Sequence, residues 1–218
     1  MTTLILVRHG QSTGNLLNSY NGHIDYPLSP VGLVQAEHVA RYLKDHYPID
    51  VIYSSDLSRA VQTAEPTAKA FGLKTVSTPE LRELCAGVWE GRDVDELQAT
   101  YPDLHEAWKD GQDIAPEGGE SHPQIRRRVG AFIDRVTEEH KGGCIACFTH
   151  WGPVYHICHH FLNATPVLKE TFPKEIQIKN TSITVVLLDD RGVPLRFEKI
   201  GYDGHLAGGG TATKKGVI

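Results

Sequence analysis

The stretch Leu4-Ile5-Leu6-Val7 lies near the start of the chain, and Arg8-His9-Gly10-Gln11-Ser12-Thr13-Gly14-Asn15 follows it directly. Four consecutive apolar residues are typical of a central strand that is buried on both faces. The segment after them is polar and glycine-bearing, so we expect the strand to end there in a loop. In open α/β sheets, ligands bind beyond the carboxyl ends of the strands. The sequence therefore predicts a buried strand with a binding loop at its carboxyl end.

Strand-like and helix-like segments alternate along the rest of the chain. Predicted strands lie at 51–53, 74–76, 144–149, 184–188 and 195–200, and predicted helices lie at 30–46, around 59–64, and at 94–100, 121–140 and 151–162. Residues 79–120 are otherwise interpreted as irregular, because glycine, proline and acidic residues are frequent there. Strands that alternate with helices predict an α/β fold with a mainly parallel sheet.

Two features of the predicted helices are specific. The first helix follows Ser29, a predicted N-cap, and its apolar face repeats at helical spacing through Leu33, Ala36, Ala40 and Leu43. Pro66 lacks the amide hydrogen that a helix interior uses, so we expect it to kink the second helix or to end its first segment.

The composition is that of one globular domain of moderate size. The chain has 218 residues, of which 40% are apolar and 22% are charged, and no internal repeat or linker interrupts it. We expect a single domain over residues 1–207. Residues 208–218 contain few apolar side chains, so we expect a mobile tail there.

The net charge and the cysteine content limit the cellular compartment and the kinds of partner that we expect. The net charge of −5 argues against nucleic acid or an anionic membrane surface as the main partner. No stretch approaches the roughly 18 apolar residues of a membrane helix, and the N-terminus lacks the basic region of a signal peptide. Four cysteines without a secretion signal indicate reduced thiols, and we expect a cytoplasmic protein. Cys144 and Cys147 lie on one predicted strand, where alternation separates their faces and favours two core residues over a redox motif.

Three predicted strand ends bring an arginine or a histidine to one edge of the sheet. Arg8 and His9 follow the first strand, Arg59 follows the second, and His150 follows the strand at 144–149. This convergence predicts an anion site. The planar fork of arginine matches phosphate oxygens, so the two arginines are candidates for a phosphate clamp. Further donors in the first loop are Ser12, Thr13 and Asn15.

Five motifs follow one another along nearly the whole chain. They are Leu6-Val7-Arg8-His9-Gly10-Gln11-Ser12-Thr13-Gly14-Asn15, Tyr53-Ser54-Ser55-Asp56-Leu57-Ser58-Arg59-Ala60-Val61-Gln62-Thr63-Ala64, Leu81-Arg82-Glu83 with Gly87-Val88-Trp89-Glu90-Gly91, Gly118-Gly119-Glu120-Ser121, and Thr149-His150. In order and spacing this set resembles the histidine phosphatase superfamily, the phosphoglycerate-mutase-like group. The resemblance implies a catalytic domain over 1–207, folded as a three-layer sandwich with a mainly parallel central sheet flanked by helices.

The resemblance also implies a role for each matched residue. His9 would accept the phosphoryl group, and Glu83 would be the general acid for the leaving group. The phosphoryl oxygens would be held by Arg8, Arg59 and His150, with Asn15 and Ser12 beside them. Arginines near the nucleophile would lower its pKa and keep the imidazole neutral. No metal or other cofactor is implied, the expected partner is a small phosphorylated substrate, and a homodimer is left open.

The family contains phosphatases and phosphoglycerate mutases, and the sequence favours a phosphatase. Family mutases carry a tyrosine three residues after the acid and a lysine eleven residues after it, whereas this chain has Ala86 and Val94. A cofactor-dependent phosphoglycerate mutase stays open as an alternative, as does an inactive member that only binds a phosphorylated ligand. No motif indicates which phosphomonoester is the substrate.

Several residues near the motifs have competing interpretations. Glu90 lies close to Glu83 in sequence and could hold the acid role instead. Trp151 occupies a position where the family usually has glycine, so it could narrow the pocket or stack on a substrate. The basic run at 126–128 is interpreted as a helix exterior. His156 and His160 lie four residues apart on one predicted helix. A non-metal role is favoured over a zinc site for them, because no third ligand is recognisable.

Overall fold

The computed structural model describes residues 1–110, 112–170, 172–173 and 175–206. The predicted mobile tail at 208–218 lies outside these residues, and the domain boundary at 207 stays a prediction. The strands of the described chain are β1 (Thr2–Arg8), β2 (Val51–Ser55), β3 (Thr75–Thr78), β4 (Cys144–Thr149), β5 (Ile183–Leu188) and β6 (Pro194–Tyr202). Its α-helices are α1 (Pro30–His46), α2 (Ser58–Phe71), α3 (Val94–Thr100), α4 (Pro102–Lys109), α5 (His122–Glu139) and α6 (Trp151–Ala164).

The strands of the described chain form one six-stranded sheet in the order β3-β2-β4-β1-β5-β6. The first four in that order run parallel to one another. β5 is antiparallel to β1, and β6 is antiparallel to β5. β1 lies inside the sheet, where Arg8 pairs with Thr149 of β4 and Val7 pairs with Ile183 of β5. The predicted α/β fold with a mainly parallel sheet is confirmed.

Two apolar clusters cover the two faces of this sheet. Leu4 and Leu6 of β1 belong to the cluster that includes buried residues of α5 and α6. Ile5 and Val7 belong to the other cluster, together with buried residues of α1 and α2. All four β1 side chains are inaccessible to solvent, as a strand between two helix layers requires. The expected three-layer sandwich is therefore confirmed.

The two cysteines of β4 follow the same alternation. Cys144 belongs to the cluster of α1 and α2, whereas Cys147 belongs to the cluster of α5 and α6. Both are buried free thiols. The prediction of two core residues on opposite faces is confirmed.

The buried face of α1 differs from the predicted one at its start. Leu33 is 51% exposed, whereas Val39 is fully buried. Gly32 packs against the loop after β1 instead. A Cβ at position 32 would lie 2.0 Å from the carbonyl oxygen of Gln11, so a larger side chain does not fit there. The close approach of the first turn to the loop after β1 therefore sets the rotation of the helix, and Leu33 faces solvent.

Two further expectations are corrected in the helices. Of the two effects expected of Pro66, an end of the helix segment is wrong, because α2 continues to Phe71, and a kink stays a prediction. Ala64 and Thr67 are buried on either side of the proline, so packing outweighs the one backbone hydrogen bond that it removes. The region 79–120 also contains α4, a short helix that begins at Pro102 and buries Trp108.

None of the helices in the described residues has both the length and the apolar composition of a membrane span. The cytoplasmic location stays a prediction, and the homodimer stays an open alternative.

Candidate active site

His9 follows β1 directly, at the carboxyl edge of the sheet, and is 3% exposed. Its Nδ1 lies 2.7 Å from the carbonyl oxygen of Gly10. A carbonyl oxygen can only accept, so Nδ1 carries the proton and Nε2 keeps a lone pair. Burial, together with the charges of Arg59 and Arg8, lowers the pKa of His9 well below its usual value. The imidazole is therefore neutral at neutral pH, the form that can act as a nucleophile.

Arg59 lies in the first turn of α2 and is almost fully buried. Its Nη1 and Nη2 each donate over 2.8 Å, to the carbonyl oxygens of Ile24 and Gly22. Its Nε donates to Nδ1 of His150 over 3.2 Å. These three hydrogen bonds fix the plane of the guanidinium beside the two histidines.

His150 connects β4 to α6 and is inaccessible to solvent. Because its Nδ1 accepts from Arg59, Nε2 carries the proton of the neutral ring and donates to Oγ of Ser55 over 2.9 Å. The ring centroids of His150 and His9 are 5.0 Å apart. Burial is also the main cause that lowers the pKa of His150 well below its usual value. The structure thus brings His9, Arg59 and His150 together from three separate strand ends.

Arg8 is the last residue of β1 and is also buried. Its Nη1 donates to the carbonyl oxygen of Ile178 over 2.6 Å, whereas its Nε has no hydrogen-bond partner among the described residues. Burial lowers the pKa of Arg8 to about 10, so the guanidinium stays charged at neutral pH. A buried cation with an unpaired donor is suited to an incoming anion.

Glu83 reaches the same edge from the segment after β3 and is 8% exposed. Its Oε1 accepts from the backbone N–H groups of Leu84 and Gly152, both over 2.9 Å, and its Oε2 accepts from that of Trp151 over 3.1 Å. The carboxylate therefore lies at the N-terminus of α6, where a negative charge is favoured. Glycine at 152 leaves room for the carboxylate in this place, because a Cβ there would displace Oε1.

Ser12 and Asn15 bind each other within the loop after β1. The N–H of Ser12 donates to Oδ1 of Asn15 over 3.0 Å, and the N–H of Asn15 donates to Oγ of Ser12 over 3.2 Å. Asn180 donates to the same Oδ1 over 3.1 Å. The amide oxygen of Asn15 is thus occupied, and its Nδ2 is the group that can donate to an anion.

The comparison with known protein families fits this arrangement. A family model described as histidine phosphatase superfamily (branch 1) matches residues 4–199. The chain belongs to this superfamily. The resemblance predicted from the five motifs is confirmed, and with it the prediction of a hydrolase of the histidine phosphatase family.

Some relatives of this histidine phosphatase are named as phosphatases and others as phosphoglycerate mutase-like proteins. The metal-independent phosphoserine phosphatase of Arabidopsis thaliana is 32% identical over 195 residues, which cover 88% of this chain and 78% of that protein. Phosphoglycerate mutase-like protein 4 of the same plant is 32% identical over 191 residues, covering 86% and 80%. A phosphoserine phosphatase of Entamoeba histolytica, solved in complex with 3-phosphoglyceric acid, is 28% identical with a TM-score of 0.79, covering 94% of this chain and 100% of that one.

Glu90, the alternative acid, braces a loop of this histidine phosphatase. Its Oε1 accepts from the backbone N–H of His23 over 2.8 Å and from that of Ala86 over 3.1 Å. Trp151, next to His150, stacks on Tyr155 one turn along α6, with ring centroids 5.0 Å apart and planes inclined by 9°. The ring of Trp151 therefore lies along its own helix.

Sequence reasoning missed several residues that hold the loop of His9. Asn180 donates from Nδ2 to the carbonyl oxygen of His9 over 3.0 Å. Thr181, at a φ of 54°, donates its N–H to the carbonyl oxygens of Arg8 and His9 over 3.0 and 3.2 Å. Thr63 of α2 accepts from the N–H of Gly10 over 2.9 Å. Because β5 runs antiparallel to β1, the residues just before β5 lie at the carboxyl edge of β1. The polar residues there could therefore have indicated a contact with the loop of His9.

The histidines of α6 have other partners. Nε2 of His156 lies 3.0 Å from Nδ1 of His122, and Nε2 of His160 lies 2.8 Å from a carboxylate oxygen of Asp134. No group of three or more histidine, cysteine, aspartate or glutamate side chains in the described residues is arranged to hold a metal ion. The interpretation of the run 126–128 as a helix exterior is wrong for Arg128, whose side chain is 21% exposed and donates to several acceptors.

Proposed function

We propose that this histidine phosphatase hydrolyses a small phosphomonoester through a phosphohistidine formed on Nε2 of His9. The observation that carries the proposal is the neutral His9 ring, with its proton on Nδ1, beside two buried guanidinium groups. Nε2 attacks phosphorus, the N–P bond forms, and the bond from phosphorus to the ester oxygen breaks. Arg8, Arg59 and His150 stabilise the charge on the remaining oxygens, with Asn15 and Ser12 beside them.

Glu83 serves as the acid and base of the two steps. In its protonated form it gives a proton to the departing ester oxygen. As a carboxylate it then takes a proton from the water that attacks the phosphohistidine, the N–P bond breaks, and inorganic phosphate leaves. Three backbone N–H groups hold the carboxylate in one place through both steps.

The substrate class follows from the relatives' names. Relatives are named for the hydrolysis of phosphoserine and of glucosyl-3-phosphoglycerate, both small phosphorylated metabolites. A screen over a panel of cellular phosphomonoesters, with phosphate release as the readout, tests the proposal. Hydrolysis of one ester well above the others supports it. Binding of phosphate by calorimetry without hydrolysis of any ester would instead favour a member that only binds its ligand.

Mutase activity with a bisphosphorylated primer should be negligible beside hydrolysis. Ala86 is 1% exposed, and neither it nor Val94 offers a hydroxyl or an ammonium to hold an intermediate while it turns. Interconversion of 2- and 3-phosphoglycerate is measured beside phosphate release from the same substrates. Interconversion that outpaces release would overturn the assignment as a phosphatase.

We expect hydrolysis to survive treatment with EDTA. Two buried arginines already supply the positive charge that a divalent ion provides in other phosphoryl-transfer enzymes. Turnover is compared before and after chelation, with a magnesium-dependent phosphatase in parallel to verify that chelation is complete. A loss that one divalent ion restores would contradict this expectation.

A further inference from the structure

Arg128 of α5 uses its whole guanidinium to contact one short segment and one carboxylate. Nε and Nη2 donate to the two carboxylate oxygens of Glu120 over 2.8 and 2.6 Å. Nη1 donates to the carbonyl oxygens of Glu80 and Arg82 over 2.8 and 3.1 Å. Nη2 also donates to that of Glu83 over 3.3 Å. A guanidinium has five N–H donors, and each has an acceptor here.

Those three carbonyl groups belong to the segment that carries Glu83 to the active site. The segment is a short 3₁₀ turn, Pro79–Leu81, followed by two residues without regular structure, so no sheet hydrogen bonds fix it. Nε2 of His23 contributes one further contact, 2.9 Å from the Glu83 carbonyl oxygen. Thr149 also donates to the carbonyl oxygen of Leu81 over 2.7 Å. Among the described residues, however, Arg128 binds more carbonyl groups of this segment than any other side chain.

Glu120 holds the chain on the other side of Glu83. Its Oε2 accepts from the backbone N–H of Cys85 over 3.1 Å, and its own N–H donates to the Cys85 carbonyl oxygen over 2.8 Å. The side chains of Arg128 and Glu120 are only 21% and 22% exposed. The ion pair thus fixes the backbone just before and just after the acid.

We propose that Arg128, paired with Glu120, is a positioning residue that sets the reach of the Glu83 carboxyl toward the leaving-group oxygen. This inference rests on the proposed role of Glu83. Proton transfer requires the acid within hydrogen-bond reach, and a displacement of about 1 Å can cost on the order of 100-fold in rate. Lysine cannot replace Arg128 here, because a single ammonium cannot reach a carboxylate and three carbonyl groups in one plane.

The test compares kcat/KM for an alkyl phosphate with kcat/KM for p-nitrophenyl phosphate. Only the alkyl leaving group needs the acid, and kcat/KM reports the steps up to phosphorylation of His9. We expect R128K to lower this ratio by roughly 10- to 100-fold and E83Q to lower it further. R135K is the matched control, because Arg135 lies on the same helix and binds the side chains of Glu80, over 3.1 and 2.7 Å, and of Glu139, over 3.9 Å, rather than the carbonyl groups that Arg128 holds. A loss of folded protein would lower both substrates equally and leave the ratio unchanged.

Each outcome decides the matter. A lowered ratio in E83Q and R128K with a normal ratio in R135K supports the proposal, as does an unchanged inhibition constant for inorganic phosphate. A lowered ratio in E83Q alone overturns the positioning role and leaves the proposed function standing. A normal ratio in E83Q removes Glu83 as the acid, and the positioning role falls with it. Should R128K not fold, E120Q leaves the guanidinium in place, weakens its anchor, and is expected to lower the same ratio.

Discussion

Replacement of His9 by alanine is expected to abolish phosphate release and to leave the fold intact. In the proposed mechanism one nucleophile carries the reaction, so the loss should approach roughly 10⁶-fold, the scale seen when a hydrolase loses its nucleophile. The fold should persist, because the hydrogen bond that the ring makes within the described part of the chain is to the neighbouring Gly10 carbonyl oxygen. Turnover, circular dichroism and thermal unfolding measure the two effects.

A companion experiment traps the phosphorylated intermediate on the wild-type protein. Rapid quenching during turnover should yield bound phosphate that is labile in acid and stable in base, as expected of phosphohistidine. His46→Ala is the control, because His46 is exposed and binds Tyr42 of its own helix, through the carbonyl oxygen and by stacking on the ring. Bound phosphate with the stability of phosphoserine, or full turnover in His9→Ala, would refute the mechanism.

Replacement of Glu83 by glutamine should separate the two chemical steps. With an alkyl phosphate, phosphorylation of His9 should slow by roughly 10²–10⁴-fold, the usual contribution of a positioned acid. With p-nitrophenyl phosphate the leaving group needs little help, so the first step should be nearly normal. Dephosphorylation lacks its base in both cases. The variant should therefore release a burst of nitrophenol close to one per site and then turn over slowly.

Glutamine also retains most of the local structure. Its oxygen can accept from Leu84 and Gly152, and only the acceptor for the Trp151 N–H is lost, at a cost of about 1 kcal/mol. Glu90→Gln is the comparison, because Glu90 binds loop amides. Equal losses on both substrates without a burst would mean that Glu83 is not the acid, and a burst in Glu90→Gln would give that role to Glu90.

The local sequence pattern was sufficient to predict those strands and helices whose bounds depend on their own residues. β4 spans Cys144–Thr149 as predicted, because its apolar run is buried on both faces, and α3 spans Val94–Thr100, where Asp93 caps the first turn. α4 was missed because it is short and its burial comes chiefly from Trp108 packing on distant residues. Leu33 was misplaced because a glycine contact sets the rotation of α1.

The candidate site also contains residues that the sequence predicts and residues that it does not. His9, Arg59 and His150 follow strands, so the topology of parallel strands predicts that they meet. The residues that orient them leave no local trace, because their partners are backbone atoms far along the chain. Thr63 binds the N–H of Gly10, 53 positions away, and Asn180 binds the His9 carbonyl oxygen, 171 positions away. Only the folded chain reveals such contacts.

The last of those contacts has a consequence for biosynthesis. The ribosome has made every motif residue by His150, yet the loop of His9 is anchored by Asn180 and Thr181, and β1 pairs with β5 at 183–188. A nascent chain that stops before this point contains all the candidate site residues named from the motifs, without the backbone contacts that hold the loop of His9. Contacts between residues far apart in the chain are slow to form, because the loop between them must first be closed. We therefore expect the loop of His9 to reach its final position only after residues 180–188 have been synthesised.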